Sequence, residues 1–397
     1  MHRVKNGAFT SYVINSEISE YSGQDKSFVT NLSYGSLRNY IYLEACLRPL
    51  LKRPDKLPNE VMNALIVASY EILIKETPRR AAVNEWVKII KQKYGRLSGL
   101  ANAVLRRVED IELAENIRYS IPEWLYNNWL ELFGEEIAIN IAKGMLEPEP
   151  LWLMSYNDNA QKELIAEACS VKAGPLENSL EIKPSKSLNK LKAFKKGYIQ
   201  PQNPCSTIAV RLLEPKPNQR VLDLASGNGI KAAQIAATGA DVVCVELDKR
   251  KLEASKKNLK RLGFSAEHIS FDLTKLPAIE PASKVLLDAP CSGTGTLRGN
   301  PEIKLRLKNE DLVASAKLQK QMLNNAAQLT DKKGTLIYSV CAISKEETID
   351  VVKEFLENSN FTIEDFETHL PHFKTDYGTF LLPYNGLDGF FIAKLKN

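Results

Sequence analysis

No apolar run in the 397 residues approaches the roughly 20 that a membrane-spanning helix needs, so a membrane span is not expected. The start, Met1-His-Arg-Val-Lys-Asn-Gly7, has no apolar stretch behind its positive charges, which argues against a signal peptide. The six cysteines are scattered, with neither metal-ligand spacing nor a disulfide framework. No metal site is expected, and a reducing cytoplasm fits. Acids are absent from 183–196, a stretch with six lysines that reads as an exposed basic linker, either solvated or touching RNA. A third glycine is absent where a dinucleotide fingerprint requires one, because Gly227 and Gly229 are followed by Ala232. What remains is ordinary for a globular protein: 44% apolar and 25% charged residues.

A chain of 397 residues suggests two or three domains. Residues 1–108 hold 17 Lys/Arg against 9 Asp/Glu and read as helical throughout. Val61, Ala64, Leu65, Ala68, Ile72 and Leu73 recur at helical spacing, with Pro58 before them and Pro78 after. Arg79, Arg80, Lys88, Lys91, Lys93, Arg96, Arg106 and Arg107 fall on or between the next helices. Such a basic bundle suits phosphate contacts, and a merely solvated face fits the composition equally. Residues 119–195 look like a smaller unit, with an amphipathic helix over 122–133, Trp124, Trp129 and Phe133 as its core, and a strand at Leu151–Met154. From Gln219 strands and helices alternate as in a doubly wound α/β sheet. Strands end near Leu224, Glu246, Asp272, Asp288 and Cys341, with helices over 252–262 and near 311–330.

In open α/β sheets ligands bind beyond the carboxyl ends of the strands. Val285-Leu-Leu-Asp-Ala-Pro-Cys-Ser-Gly-Thr-Gly-Thr296 is an apolar run that stops in a turn cluster, placing Asp288 and Cys291 there. Gly334-Thr-Leu-Ile-Tyr-Ser-Val-Cys341 is a second strand ending in a cysteine, and the two thiols can face one cleft. A buried strand position accounts for Cys46, Cys169, Cys205 and Cys244. Gly227 and Gly229 allow a tight loop after the first strand. Glu246 suits the two ribose hydroxyls of a nucleoside, and Asp272 and Asp288 offer acceptors to an adenine amine and to a substrate.

The run Asp223-x-x-x-Gly227-x-Gly229 resembles the first motif of class I S-adenosylmethionine (SAM) methyltransferases. That resemblance implies SAM held by Ala225, Ser226, Gly227, Asn228, Gly229, Ile230 and Lys231, with Glu246, Asp272 and Asp288 completing the site. C5 of cytosine is too poor a nucleophile to take a methyl group until a thiolate has added at C6. Asp288-Ala-Pro-Cys291 with Tyr338-Ser-Val-Cys341 resembles the RNA cytosine-C5 methyltransferases of the NOL1/NOP2/Sun group. The resemblance implies Cys341 as nucleophile, Cys291 as the residue that assists release, and Asp288 on the base edge. DNA cytosine methyltransferases use the Pro-Cys cysteine instead, together with a Glu-Asn-Val partner that is not found here.

Ser33-Tyr-Gly-Ser-Leu-Arg38, Tyr70-Glu-Ile-Leu73, Pro78 with Ala81-Ala-Val83, and Leu100–Arg107 resemble the NusB-type RNA-binding domain. A NusB-like domain joined to this catalytic domain is similar to the RsmB/Sun/Fmu family. Arg298, Pro301, Ile303 and Lys304 match that family's Arg-x-x-Pro-Asp-Ile-Lys segment with Glu302 for Asp, and Asp388-Gly-Phe-Phe391 matches its ending. The implied organisation is a NusB-like domain at 1–118, a linking domain at 119–195 and a methyltransferase domain at 196–397. The implied function is formation of 5-methylcytidine in small-subunit (16S) ribosomal RNA by a cytoplasmic monomer without metal. Departures from the pattern are Ala225-Ser-Gly-Asn-Gly-Ile-Lys-Ala232 for Cys-Ala-Ala-Pro-Gly-Gly-Lys-Thr, Val340 and Ala342 beside Cys341, and Gln200-Pro-Gln-Asn203 before the first strand. Two alternatives stand beside this reading: a non-catalytic rRNA-binding or assembly protein, and a methyltransferase acting on tRNA or protein.

Overall fold

The computed structural model describes residues 1–21 and 23–397. They form two compact units: Met1–Pro148 with Thr296–Lys308, and Glu149–Gly295 with Asn309–Asn397. The stretch 119–195 is thus divided, its first helices going with the N-terminal unit and its strands with the C-terminal one.

The N-terminal unit is helical. Helix Asn59–Leu73 buries Val61, Leu65, Ala68 and Ile72 of the stripe its sequence spacing predicts, while Ala64 and Leu73 pack on the core only partly buried. Helices Arg79–Tyr94 and Ser98–Arg107 close over it, adding Val83, Ile90, Val104 and Leu105 to the same core. Arg79 does not serve as a free phosphate ligand here. Its guanidinium donates to the carbonyls of Leu105 (3.1 Å) and Val108 (2.6 Å), satisfying the otherwise orphaned end of the helix. Arg80, Lys88, Lys91, Arg96, Arg106 and Arg107 are exposed. In helix Glu123–Phe133, Trp129 and Phe133 are buried, whereas Trp124 is only half-buried because Leu125 and Tyr126 turn into the core instead.

Residues 296–308 belong to this helical unit although they follow strand Ala282–Asp288 in sequence. Arg298 is wholly buried and donates to the Gly144 carbonyl (2.9 Å). The Glu302 carboxylate accepts from Thr10 N–H (3.0 Å) and hydroxyl (2.7 Å). Lys304 donates to the Arg38 carbonyl (2.5 Å), and Leu305 packs on Val4, Val13 and Leu37.

The C-terminal unit holds two sheets. β1 (Leu151–Ser155), β2 (Ser170–Ala173), β3 (Ser179–Lys183) and β4 (Ile199–Pro201) form an antiparallel sheet in the order β2-β3-β1-β4. The lysine-rich 183–196, expected as an exposed basic linker, keeps its lysines exposed but is folded into this unit. It contains helix Lys192–Lys195, and Leu191 and Ala193 are wholly buried in the core of this small sheet. The second sheet comprises β5 (Arg220–Leu224), β6 (Asp241–Glu246), β7 (Glu267–Ser270), β8 (Ala282–Asp288), β9 (Thr330–Val340), β10 (Thr362–Ile363), β11 (His372–Thr375), β12 (Gly378–Leu381) and β13 (Phe390–Lys396). Its order is β11-β12-β13-β9-β8-β5-β6-β7, with β10 on β13. Strands β5 to β9 pair in parallel, and β13 adds an antiparallel extension along β9. The central strands β5, β6 and β8 carry near-continuous apolar runs, as strands covered by helices on both faces do, whereas β7 (Glu267-His-Ile-Ser270), at the edge of the sheet, has no buried residue. Helices Pro204–Leu213, Ile230–Ala236, Lys249–Leu262 and Asn309–Gln328 provide that cover. No helix among the described residues is long and apolar enough to cross a membrane.

Candidate active site

Strands β8 and β9 are neighbours, with Asp288 opposite Ser339. Cys291 stands three residues beyond β8 and Cys341 directly after β9, so the register alone carries both thiols to one edge of the sheet. Their sulfurs are 3.2 Å apart, and both side chains are partly exposed. The backbone closes the same corner: Gly295 N–H donates to the Cys341 carbonyl (3.0 Å), and Gly389 N–H to the Gly295 carbonyl (2.8 Å). The hydrogen bond to Cys341 and, after it, burial push the Cys291 thiol well above its ordinary pKa, with Glu347 adding to the effect. Asp288 accepts from the Ser339 hydroxyl (3.1 Å) and pairs with Lys231 (2.7 Å).

Glu347 is a residue that the sequence reading missed. It is wholly buried and ties the Cys291 loop to the Cys341 loop. Its carboxylate accepts from Ser292 N–H (2.8 Å) and hydroxyl, from Ser344 hydroxyl (3.1 Å) and from the Gln319 amide (3.1 Å). Gln319 also donates to the Pro290 carbonyl (3.0 Å). Burial pushes the Glu347 carboxyl up. Glu347 lies in an irregular segment after β9, where no periodicity signals a buried carboxylate.

Beside this corner is a cavity of about 500 Å³. Ala225, Ser226, Gly227, Asn228, Ile230, Lys231 and Asp288 line it, as do Asp223, Gln202, Asn203, Asp388 and Phe390. Three residues expected to bind the cofactor lie off its wall. Gly229 (φ +74°) instead meets the next helix, where an added Cβ would sit 2.2 Å from the Ser255 hydroxyl. Glu246 accepts from Gly227 N–H (2.9 Å) and Asp248 N–H (2.9 Å), which ties it to the loop. Asp272 closes a local turn on Thr274 N–H (3.0 Å) and hydroxyl (2.8 Å), bonds that hold its carboxyl below the usual range. Gln202 and Asn203 come from the divergent segment before β5, and Asp388 and Phe390 from the chain's ending. The sequence marked both stretches only as family matches or departures.

Several buried polar atoms on this wall have no partner of normal hydrogen-bond geometry: both Asp223 carboxyl oxygens, Gln202 Oε1, Asn203 Nδ2 and Ser226 Oγ. Burial, and then the Asp288 charge, push the Asp223 carboxyl up to about 8. Orphaned groups of this kind normally have partners, and here they face a space able to hold a polar ligand.

A parallel sheet with a glycine-turned loop after its first strand and carboxylates at strand ends is the fold of the class I SAM-dependent methyltransferases. Over the whole chain the structure is similar to the crystal structure of PH0851, with a TM-score of 0.82, 22% identity, and 99% and 96% of the two chains covered. NSun6 from Pyrococcus horikoshii, solved with SFG, aligns with a TM-score of 0.63 and 23% identity over 69% of this chain and 98% of that one. Residues 210–396 match the family of 16S rRNA methyltransferase RsmB/F, and residues 2–110 match the NusB family. Ribosomal RNA small subunit methyltransferase B of Thermus thermophilus is 40% identical over 95% of this chain and 90% of its own. Probable ribosomal RNA small subunit methyltransferase B of Bacillus subtilis is 30% identical over 99% and 95%. The chain belongs to the RsmB/F family of methyltransferases.

Proposed function

We propose that this chain converts one cytidine of small-subunit ribosomal RNA to 5-methylcytidine, with SAM as methyl donor. The observation that carries the reading is the pair of thiols 3.2 Å apart beside Asp288. In this reading the Cys341 thiolate adds to C6 of the base, and the displaced electron pair makes C5 the nucleophile. After methyl transfer, the C5 proton leaves to a base, the C5–C6 double bond re-forms and the C6–S bond breaks. Cys291 serves that second half. The resemblance to the RNA cytosine-C5 methyltransferases supports this division, and the 3.2 Å separation of the sulfurs puts Cys291 within reach of the same base. Asp288, fixed by Lys231 and Ser339, presents its carboxylate to the polar edge of the base.

SAM, when bound, supplies an activated methyl group on a sulfonium. Its methionine end carries an ammonium and a carboxylate. Asp223 and Gln202 Oε1 are acceptors suited to the ammonium, and Asn203 Nδ2 is a donor suited to the carboxylate. The target base must leave its stack to reach both thiols, so a loop or single-stranded cytidine is preferred to a paired one. The NusB-like half, over about the first 118 residues, is the part assigned to docking structured RNA.

The test uses labelled small-subunit RNA and denaturing gels. Cys341→Ala gives neither methylation nor a covalent complex. Cys291→Ala still attacks but stalls, and a protein–RNA adduct accumulates. An adduct with Cys341→Ala but not with Cys291→Ala would reverse the roles and refute the proposal.

A further inference from the structure

We propose that the two lysine-rich segments of the C-terminal unit, 183–196 and helix Lys249–Leu262, make one docking surface for the phosphodiester backbone of the RNA; this rests on the reading that the substrate is RNA. Segment 183–196 carries six lysines and no acid, and the helix carries seven Lys/Arg and one acid, Glu253. The fold clasps them together. Arg261, near the helix end, donates to the carbonyls of Phe194 (2.8 Å) and Ile199 (3.0 Å) and to Gln200 Oε1 (2.5 Å). Its guanidinium lies 3.9 Å from the centre of the Phe194 ring. Gly197 (φ +73°) crosses so close that an added Cβ would lie 2.2 Å from the Arg261 carbonyl.

Joining two segments of the same sign is unfavourable unless counter-charge covers them. The protein supplies only part of that cover: Glu167 pairs with Lys186, Glu163 with Lys196, Glu253 with Lys256 and Asp248 with Arg250. The remaining lysines of both segments, Lys192, Lys195, Lys257 and Lys260 among them, are exposed and in no ion pair among the described residues. They are also rigidly presented. Leu191 and Ala193 anchor one segment, and Leu252, Leu259 and Leu262 the other. Lysine is a point charge suited to phosphate without base readout. Neither segment exposes a large apolar side chain among the described residues, as insertion into a membrane surface would require. The partner is therefore a polyanionic backbone.

The experiment measures binding of full-length protein to a labelled small-subunit rRNA fragment across a salt series. Lys192→Gln/Lys195→Gln and Lys257→Gln/Lys260→Gln are compared with the unaltered chain. Neutralising two phosphate-facing lysines lowers the slope of log affinity against log salt by about 1.4–1.8, from roughly 0.7–0.9 per neutralised phosphate, and raises KM for RNA. Unchanged affinity and slope in both variants would overturn the surface, as would a loss of affinity with no change of slope. Methyl transfer by the unaltered chain is measured in parallel. If it methylates RNA while the variants bind like it, only the surface is wrong. If it methylates no RNA, the underlying reading fails instead.

Discussion

Lys304 is wholly buried, with its ammonium on the Arg38 carbonyl (2.5 Å). Burial, and then the Arg38 charge, lower its pKa from 10.5 to about 7. In the unfolded chain the same group stays protonated until its ordinary pKa of about 10.4. Between those two values the unfolded state binds more protons, so this residue makes stability rise with pH across that window and stay flat below it. At about 1.4 kcal/mol per unit, the cost of keeping the cation near neutral pH is at most about 4–5 kcal/mol. Lys304→Met removes that cost but strips the Arg38 carbonyl of its donor, worth roughly 1–3 kcal/mol. The variant is therefore more stable than the parent by about 1–3 kcal/mol near pH 7, and less stable by a similar amount near pH 10.5. Urea unfolding at a series of pH values reads the difference, and tryptophan emission follows the right unit, because Trp86, Trp124 and Trp129 all lie in it while Trp152 does not. Other titrating groups cancel in the comparison. A difference between parent and variant that stays level from neutral to alkaline pH would refute the reasoning.

Two further outcomes concern the methyltransferase site. Glu246→Ala removes the acceptor that holds Gly227 N–H; SAM affinity measured by calorimetry falls by roughly 1.5–3 kcal/mol as the loop is released, and undiminished affinity would contradict this. Glu347→Gln keeps the volume but sets an amide donor against the donors of Ser292, Ser344 and Gln319. Its charge also raises Cys291. The variant therefore releases product slowly, accumulates adduct on denaturing gels, and shifts the pH–rate profile to lower pH; a profile and adduct level like the parent's would exclude a positioning role.

The parallel sheet was legible because most of its strands hold apolar runs that stop at Glu246, Asp288 and Cys341, whereas the edge strand β7 carries little such signal. Helices 249–262 and 309–328 fall within a few residues of where periodicity puts them. The thiols were legible as strand-end residues, but only the adjacency of β8 and β9 brings their sulfurs together, and a single sequence does not state strand order. Gly229 was read as a ligand-approach glycine. Its close neighbour is Ser255 in the following helix, a contact between residues 26 apart that local pattern does not reveal. Glu246 was read as a ribose ligand from its strand-end position, and the bonds of its two oxygens to the amides of Gly227 and Asp248 are not legible in that spacing. Glu347 and Gln319 could not be found in advance, since their burial follows from two loops meeting rather than from any period. The antiparallel strands β10 to β12 are only two to four residues long, too short to stand out from loop.

The segment 296–308 makes the N-terminal unit discontinuous in the chain, and this bears on how the protein folds during synthesis. The contact between Thr10 and Glu302 spans 292 residues, and that between Arg38 and Lys304 spans 266. Domains generally fold as the chain emerges, the N-terminal one first. Here the first 148 residues leave the ribosome with Val13 and Leu37 still waiting for Leu305 and Thr10 still waiting for Glu302. Closing so long a loop adds little at equilibrium, about 0.6 kcal/mol per doubling of length, but non-local contacts of this kind are slow to form. The helical unit cannot complete its packing until β5 to β8 have been made and the chain has turned back. Maturation of the N-terminal unit is thereby timed by synthesis of the strand that carries Asp288.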